Sequence, residues 1–403
     1  MKYTDYYLKQ LPFVSVFQET MIKDIDNIFV GREQDTENIF DLAFSGASMF
    51  VHGIFGVGKT IVIRKVLNDL EDESVFTIYV NGFQLLYKNI LEQMLKKIMA
   101  EGFENIDNNE IDQILQMIKG HAVLNKTTQK SGINKVIKYT TDNEEAIKMT
   151  IDITNIESYI SEYLSYIIES DRKVCIAIDG LDLDISSDEI PSLTNKFRKL
   201  FIEKGVSVII VGHPLGVMSG FGSYSDILEF CTISVMNKEE MKLMIKKYLN
   251  WQRTDNFDHS IGIFFPFDEE VIDYITDTIY QNRLSARLLH KSLAYIFNIH
   301  KKNNLSKITL NSTKKYWDDF VNEHFKGLKK EDLYAYSLIK KIGKGKIEED
   351  NYKLIEEIGG EFALYSEVID KVNPLLINDI LLATDQSSMS YQLNPMLEEM
   401  FIK

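Results

Sequence analysis

Residues 53–60, with the sequence GIFGVGKT, match the pattern G-x-x-x-x-G-K-[ST] at every fixed position. The segment follows an apolar, strand-like run at residues 48–52 and precedes a helix-like run at residues 61–70. In such a strand–loop–helix unit the glycines turn backbone N–H groups inward, and the helix N-terminus adds partial positive charge. The chain is therefore predicted to fold around a phosphate-binding P-loop that takes ATP or GTP.

Two side chains of the P-loop have specific roles in this prediction. Lys59 can reach the β- and γ-phosphates, and the hydroxyl of Thr60 can complete the coordination shell of Mg²⁺. The residues of this segment that we expect to contact the nucleotide are Gly53, Gly56, Val57, Gly58, Lys59, Thr60 and Ile61.

A second candidate for metal binding is Asp179, which ends the apolar run at residues 174–178. A continuous apolar run of this length is typical of a parallel strand that is buried on both faces. The carboxyl ends of parallel strands form the edge of the sheet where ligands bind. We therefore predict that Asp179 holds Mg²⁺ through water, together with Thr60, in a Walker B arrangement.

The hydrolytic machinery departs from the usual pattern after Asp179. Many P-loop ATPases place a glutamate directly after the Walker B aspartate to orient the attacking water, and this chain has Gly180 there. The next acids are Asp182 and Asp184, and Asp182 is our candidate for orienting the water. The departure favours a slow ATPase, or one that needs a partner protein to turn over.

Strands alternate with helices between residues 31 and 235, which predicts an α/β P-loop core with a parallel sheet and helices on both faces. An arm at residues 1–30 precedes this core, and residues 101–153 interrupt it as an insertion that ends in a predicted hairpin. Helical patterns then predict a lid over residues 236–312. Residues 331–403 combine three predicted helices with two short strands, which is a winged-helix layout, and we assign residues 313–403 to this domain.

Composition narrows the functional classes. The net charge of −15 argues against a large nucleic-acid surface that ignores sequence, because such surfaces depend on clustered Lys and Arg. No apolar run approaches the roughly 18 residues of a membrane span, and the N-terminus lacks a signal-peptide layout. Cys175 and Cys231 are the only cysteines. We therefore expect a cytoplasmic protein without a disulfide framework.

The segment at residues 29–33, the P-loop and the sequence around Asp179 resemble the STAND and initiator-like (origin-recognition) branches of the AAA+ superfamily. The resemblance implies that Val30, Gly31 and Arg32 lie against the adenine, which favours ATP over GTP. It also extends to the C-terminal residues, which resemble the winged-helix domains of those families.

The same resemblance implies three further residues that respond to the γ-phosphate or complete the site. His213 occupies the position of sensor 1, where these families more often have Asn, Thr or Arg. Arg287 matches the arginine of sensor 2, on a lid helix, with Arg283 as the alternative. Arg198 is the candidate for an arginine finger that acts on a neighbouring subunit.

Two functions from different classes fit these observations. In the first, ATP binding and slow hydrolysis reposition the lid and the winged helix, and so control self-association and assembly with partner proteins. The family resemblance suggests antiviral defence or a mobile element as the setting. In the second, the chain is an initiator-like ATPase that binds DNA through its winged helix or hairpin.

Local charge favours the switch over the DNA-binding ATPase. The candidate recognition helix at residues 364–379 has one base, Lys371, and three acids. Residues 313–403 carry 12 Lys and no Arg against 17 acids, whereas a DNA-reading surface needs an excess of basic or amide side chains. The lysines at residues 340–346 are the exception.

Overall fold

The computed structural model describes residues 1–13, 19–81, 87–102, 107–118, 138–140, 148–150, 153–180, 195–199, 201–202, 205–212, 228–281, 285–325, 328–348, 350–377, 380–383 and 390–394.

A five-stranded parallel sheet forms the centre of the first half of the chain. The strands up to residue 232 are β1 (Met49–His52), β2 (Phe76–Asn81), β3 (Lys138–Thr140), β4 (Lys148–Thr150), β5 (Val174–Asp179), β6 (Ser207–Gly212) and β7 (Glu229–Thr232). The sheet has the order β2-β5-β6-β1-β7, and every pairing in it is parallel. Every residue of β5 and β6 is buried, which explains why these strands read as continuous apolar runs.

Helices cover both faces of this sheet, so the predicted α/β class is confirmed. The helices of this half are α1 (Ile25–Ile28), α2 (Glu33–Phe44), α3 (Lys59–Asp72), α4 (Tyr87–Glu101), α5 (Asn108–Ile118) and α6 (Ile153–Glu169). Apolar side chains of α2 and α3 pack on one face of the sheet, and those of α4, α5 and α6 pack on the other. Strands β3 and β4 pair antiparallel as a separate ribbon, at the place where the sequence predicts a hairpin.

The chain then becomes helical over the region that the sequence predicts to be a lid. The helices are α7 (Lys238–Trp251), α8 (Glu269–Gln281), α9 (Ala286–Lys302) and α10 (Leu310–Phe325). Tyr6, Leu8 and Phe13 are buried in the same apolar cluster as these helices, and the hydroxyl of Tyr6 donates to the carbonyl oxygen of Leu305 over 2.7 Å. The N-terminal residues therefore pack on the helical region rather than on the sheet. Across the described residues, the helices are all too short or too polar to cross a bilayer.

The C-terminal region consists of α11 (Lys330–Lys341), β8 (Lys346–Ile347), α12 (Tyr352–Gly359), α13 (Tyr365–Ile377), β9 (Leu381–Ala383) and β10 (Tyr391–Leu393). The three strands form an antiparallel sheet with the order β8-β10-β9. The strand β8 does not figure in the sequence-based prediction, since two residues cannot display an alternating pattern. The core of this region is continuous with that of the preceding helices.

Candidate functional site

The P-loop connects the end of β1 to the start of α3, which begins at Lys59. Gly56 and Gly58 have φ angles of 73° and 111°, a backbone conformation that residues with a side chain rarely adopt. The ammonium group of Lys59 donates to the carbonyl oxygen of Gly53 over 2.7 Å, and Lys59 is only 9% exposed. The cationic group thus lies inside the loop, at the N-terminus of the helix, where phosphate oxygens would be held.

Thr60 and Asp179 lie together, although β1, which leads into the P-loop, and β5, which ends at Asp179, are not neighbouring strands. β6 lies between β1 and β5, yet the hydroxyl of Thr60 donates to Oδ2 of Asp179 over 2.7 Å. Asp179 is buried, with 6% of its surface exposed. A hydroxyl and a carboxylate are the oxygen donors that Mg²⁺ prefers, so the side chains present fit this metal. Metal binding by this pair remains a prediction.

Tyr79 also contacts Asp179, and this contact was not predicted from the sequence. Its hydroxyl donates to the same oxygen, Oδ2, over 2.8 Å. The guanidinium carbon of Arg64, on α3, lies 3.2 Å from the centre of the Tyr79 ring. Burial, together with the negative charge of Asp179, raises the pKa of Tyr79 well above its ordinary value.

The segment that the resemblance places against the adenine is attached to the P-loop by Arg32. One guanidinium nitrogen of Arg32 donates to the carbonyl oxygen of Val57 over 3.1 Å, and the side chain is buried. Burial lowers the pKa of Arg32, while the negative charges of Asp35, Glu240 and Glu33 act in the opposite direction. The approach is close at Gly31 as well, where an added Cβ would lie 2.8 Å from Cγ of Glu240.

The helical region at residues 236–312, the predicted lid, contacts the P-loop through the first turn of α9. The backbone amide of Arg287 donates to the carbonyl oxygen of Gly56 over 3.1 Å. Ser285 caps the helix, since its hydroxyl accepts a hydrogen bond from the amide of Leu288 over 3.3 Å. Arg287, the predicted sensor 2 residue, therefore has its backbone on the loop, and its contact with the γ-phosphate remains a prediction.

Some of the remaining predicted residues lie in the structure described and others do not. Val57 is buried in the apolar cluster on one face of the sheet, and Ile61, in the first turn of α3, packs against this cluster and against that of the C-terminal helices. Arg198 lies in a helical segment at residues 195–199. Asp182, His213 and Arg283 lie outside the described residues.

His52 is a titratable group at the base of the loop that the sequence did not single out. It ends β1, and its Nε2 lies 3.1 Å from the hydroxyl oxygen of Thr232 on β7. Burial lowers the pKa of His52, and the positive charge of Lys59 lowers it further.

Comparisons with known proteins agree with this geometry. Residues 43–218 match the family model described as AAA domain. The structure of the ORC1 protein of Aeropyrum pernix in complex with DNA is similar, with 12% identity, a TM-score of 0.51 and coverage of 96% of each chain. No curated protein sequence matches the chain significantly.

Two further solved structures resemble the chain at lower TM-scores. CDC6P from Pyrobaculum aerophilum is 14% identical over 99% of this chain and 96% of that one, with a TM-score of 0.44. The RuvB Holliday junction branch migration motor of Thermotoga maritima is 12% identical over 93% and 95%, also with a TM-score of 0.44. Residues 43–218 are thus similar to an AAA domain, and the chain shares its overall fold with the ORC1 protein.

Proposed function

We propose that this protein is a switch that binds ATP with Mg²⁺ and hydrolyses it slowly, and whose nucleotide state controls assembly with partner proteins and with itself. The observation that carries the proposal is the hydrogen bond from the Arg287 amide to the Gly56 carbonyl. The lid is attached directly to the loop that would surround the phosphates. A change in the loop therefore changes the support of the lid.

The chain supplies each group that nucleotide binding requires. Lys59 and the amides of the P-loop would neutralise and orient the phosphates. Thr60 and Asp179 would hold Mg²⁺, which supplies charge stabilisation to the phosphates when bound. Arg32 ties the proposed adenine-binding segment to Val57, so that base and phosphate contacts move as one unit.

Slow hydrolysis is proposed because Gly180 follows Asp179 directly and has no side chain to orient water. Asp182 is the proposed replacement, two residues further along the chain. A carboxylate that is three residues after Asp179, rather than directly after it, fits an ATPase that hydrolyses ATP slowly until a partner protein stimulates it. The same proposal includes a setting in antiviral defence or a mobile element, which rests on the family resemblance. It also places the protein in the cytoplasm, which rests on its two free thiols.

The C-terminal region is proposed to be a winged helix, because its helices and strands alternate as α-β-α-α-β-β around an antiparallel sheet. Its candidate recognition helix, α13, is poorly equipped to read DNA. The ammonium group of Lys371 donates to the carbonyl oxygen of Gly359 over 2.6 Å and so caps the end of α12. Exposed Glu367 caps α13 itself, since its carboxylate accepts from the amide of Leu364 over 3.0 Å. These contacts favour a protein partner.

An initiator-like DNA-binding ATPase is the second candidate, supported by one local feature. Lys341, Lys344 and Lys346 are exposed at the turn between α11 and β8, on the sheet side of the proposed winged helix. The likeness to the ORC1 protein, which was solved with DNA, fits this alternative. Phosphate contacts by three lysines would give weak binding that depends steeply on salt.

The decisive experiment measures binding of a non-hydrolysable ATP analogue together with the mass of the protein in solution. We expect micromolar or tighter binding with Mg²⁺ and a nucleotide-dependent change in assembly or in the position of the lid. Lys59→Ala should abolish binding. Lys65→Ala is the matched control, because Lys65 lies on the same helix but pairs with Asp26 over 3.0 Å, away from the loop.

Three results would count against the proposal. If Lys59→Ala bound the analogue as the wild type does, the P-loop would not be the nucleotide site. An unchanged mass and an unchanged lid with nucleotide would contradict the switch. Binding of duplex DNA that weakens with salt, and that the triple change of Lys341, Lys344 and Lys346 to Ala removes, would favour the initiator-like alternative.

A further inference from the structure

We propose that Tyr79 is a positioning residue for the Asp179 carboxylate, and that its hydroxyl sets the affinity of the site for Mg²⁺. This inference rests on the proposed function, because it assumes that Thr60 and Asp179 hold a metal beside a bound nucleotide. It concerns a side chain on β2, two residues before the strand ends, that matches no sequence motif.

Two hydroxyl groups donate to the Asp179 carboxylate. The hydroxyl of Thr60 at 2.7 Å and that of Tyr79 at 2.8 Å both donate to Oδ2. The threonine hydroxyl has one proton and two lone pairs, so it can donate to Asp179 and bind a cation at the same time. Two donors on Oδ2 restrain the carboxylate, and in this proposal Oδ1 is the oxygen that faces the metal.

Tyr79 is itself held in place by Arg64. The guanidinium group of Arg64 lies over the ring at 3.2 Å, within the range of a cation–π contact. Arg64 is four residues after Thr60 on α3, one helical turn away. Tyr79 therefore contacts α3 in two ways: directly through Arg64, and through Asp179, which accepts from Thr60. Movement of the phenol would disturb both contacts with the P-loop helix.

The phenol also affects the charge state of the carboxylate through its hydrogen bond. The hydroxyl of Tyr79 donates to Oδ2 of Asp179 over 2.8 Å. A hydrogen bond donated to a carboxylate favours its ionised form, which is the form that binds metal. Groups that orient metal ligands in this way commonly change metal affinity by 10- to 100-fold when removed.

The test compares Tyr79→Phe with the wild type by titrating Mg²⁺ into the complex with a fluorescent ADP. The variant keeps the ring that lies under Arg64 but lacks the hydroxyl, and with it the hydrogen bonds of that hydroxyl to Asp179 and Arg64. We expect the Mg²⁺ concentration for half-saturation to rise about tenfold, while the affinity for the same ADP in EDTA stays unchanged. Thermal unfolding of each variant verifies that it is folded.

Tyr166→Phe provides the matched control. The hydroxyl of Tyr166 also donates to a carboxylate, that of Glu162, over 2.8 Å, but both residues lie on α6 and outside the site. This variant should leave both affinities unchanged. In an Asp179→Asn background, Tyr79→Phe should have no further effect on the Mg²⁺ titration, because the carboxylate that it positions is gone.

The outcomes separate this role from the proposed function. Equal Mg²⁺ titrations for Tyr79→Phe and the wild type would refute the positioning role. A loss of ADP affinity that is the same with Mg²⁺ and with EDTA would also refute it, since the hydroxyl would then support the fold only. A wild-type protein that binds no nucleotide would refute the proposed function itself and this role with it.

Discussion

The backbone amide of Arg287 donates a hydrogen bond to the carbonyl oxygen of Gly56 over 3.1 Å, so the first turn of the lid helix α9 rests on the tip of the P-loop. The two backbones approach so closely that a Cβ at position 56 would lie 2.6 Å from Cβ of Arg287 and 2.7 Å from Oγ of Ser285. Contact at this distance is possible because position 56 has no side chain. Gly56 therefore permits the close contact with α9 as well as the left-handed backbone conformation of the P-loop.

Gly56→Ala is expected to separate the lid from the P-loop. Gly46→Ala is the control, because Gly46 has a φ of 88° but an added Cβ would meet no atom within 4 Å. Both variants bear the backbone strain of about 1–2 kcal/mol that a left-handed residue costs, and the difference between them reports the clash. Hydrogen exchange at residues 286–290 should accelerate in Gly56→Ala alone, and equal exchange in both variants would show that the lid is held by other contacts.

Arg32→Met should destabilise the fold by about 1–3 kcal/mol, because it removes the buried donor to the carbonyl oxygen of Val57 and leaves that carbonyl without this hydrogen bond. Arg32 is 5% exposed and donates to Val57, and the charges of Asp35 and Glu240 act on it. Urea unfolding measures the loss.

Arg172→Met is the control for this prediction. Arg172 pairs with Glu101 over 3.0 Å at the surface, with about a third of each side chain exposed. Its loss should cost less than about 1 kcal/mol. Similar losses for the two variants would mean that Arg32 contributes no more than a surface ion pair does.

The P-loop and the sheet around Asp179 could be predicted because their signals are local. The P-loop has fixed spacing, and β5 is a continuous apolar run because helices cover both of its faces. The position of Asp179 beside Thr60 then follows from the shared edge of a parallel sheet. Although β6 lies between β1 and β5, the prediction did not depend on this strand order, because Thr60 at the start of α3 reaches Asp179.

The contacts that complete the site could not be predicted, because they depend on strand register and on distant segments. The bond between Tyr79 and Asp179 follows from the pairing of Tyr79 with Ala177 on β5, which no single-strand pattern reveals. The bond between Arg32 and Val57 joins residues 25 positions apart. Within the insertion, α5 was not predicted, although Ile111, Ile114 and Leu115 have helical spacing.

Asp182→Asn should lower ATP hydrolysis by about 100-fold or more, the usual contribution of a group that orients or activates the nucleophile, without changing ATP affinity. The substitution removes the charge and keeps the size of the side chain. Asp184→Asn, two residues further on, is the control and should retain activity. Loss of hydrolysis in Asp184→Asn and not in Asp182→Asn would transfer the role to Asp184, and full activity in both would exclude this segment.

Stability should fall on acidification because of His52. Its folded pKa is lowered by burial and by Lys59, so below about pH 6.5, the ordinary pKa of histidine, the unfolded state binds more protons than the folded state. The contribution of His52 is therefore complete above pH 6.5 and is lost as the pH falls towards its folded pKa. Burial lowers the pKa of His300 as well, which adds a loss of the same sign.

Melting temperatures between pH 8 and pH 5.5 test this for the wild type and His52→Gln. The variant should melt with a shallower dependence on pH than the wild type, while the remaining slope reflects His300 and other groups. Carboxyl groups whose pKa is raised by burial, such as Asp35, act with the opposite sign and cancel in the difference between the two curves. Parallel curves throughout this range would show that His52 takes up its proton equally in the folded and unfolded states.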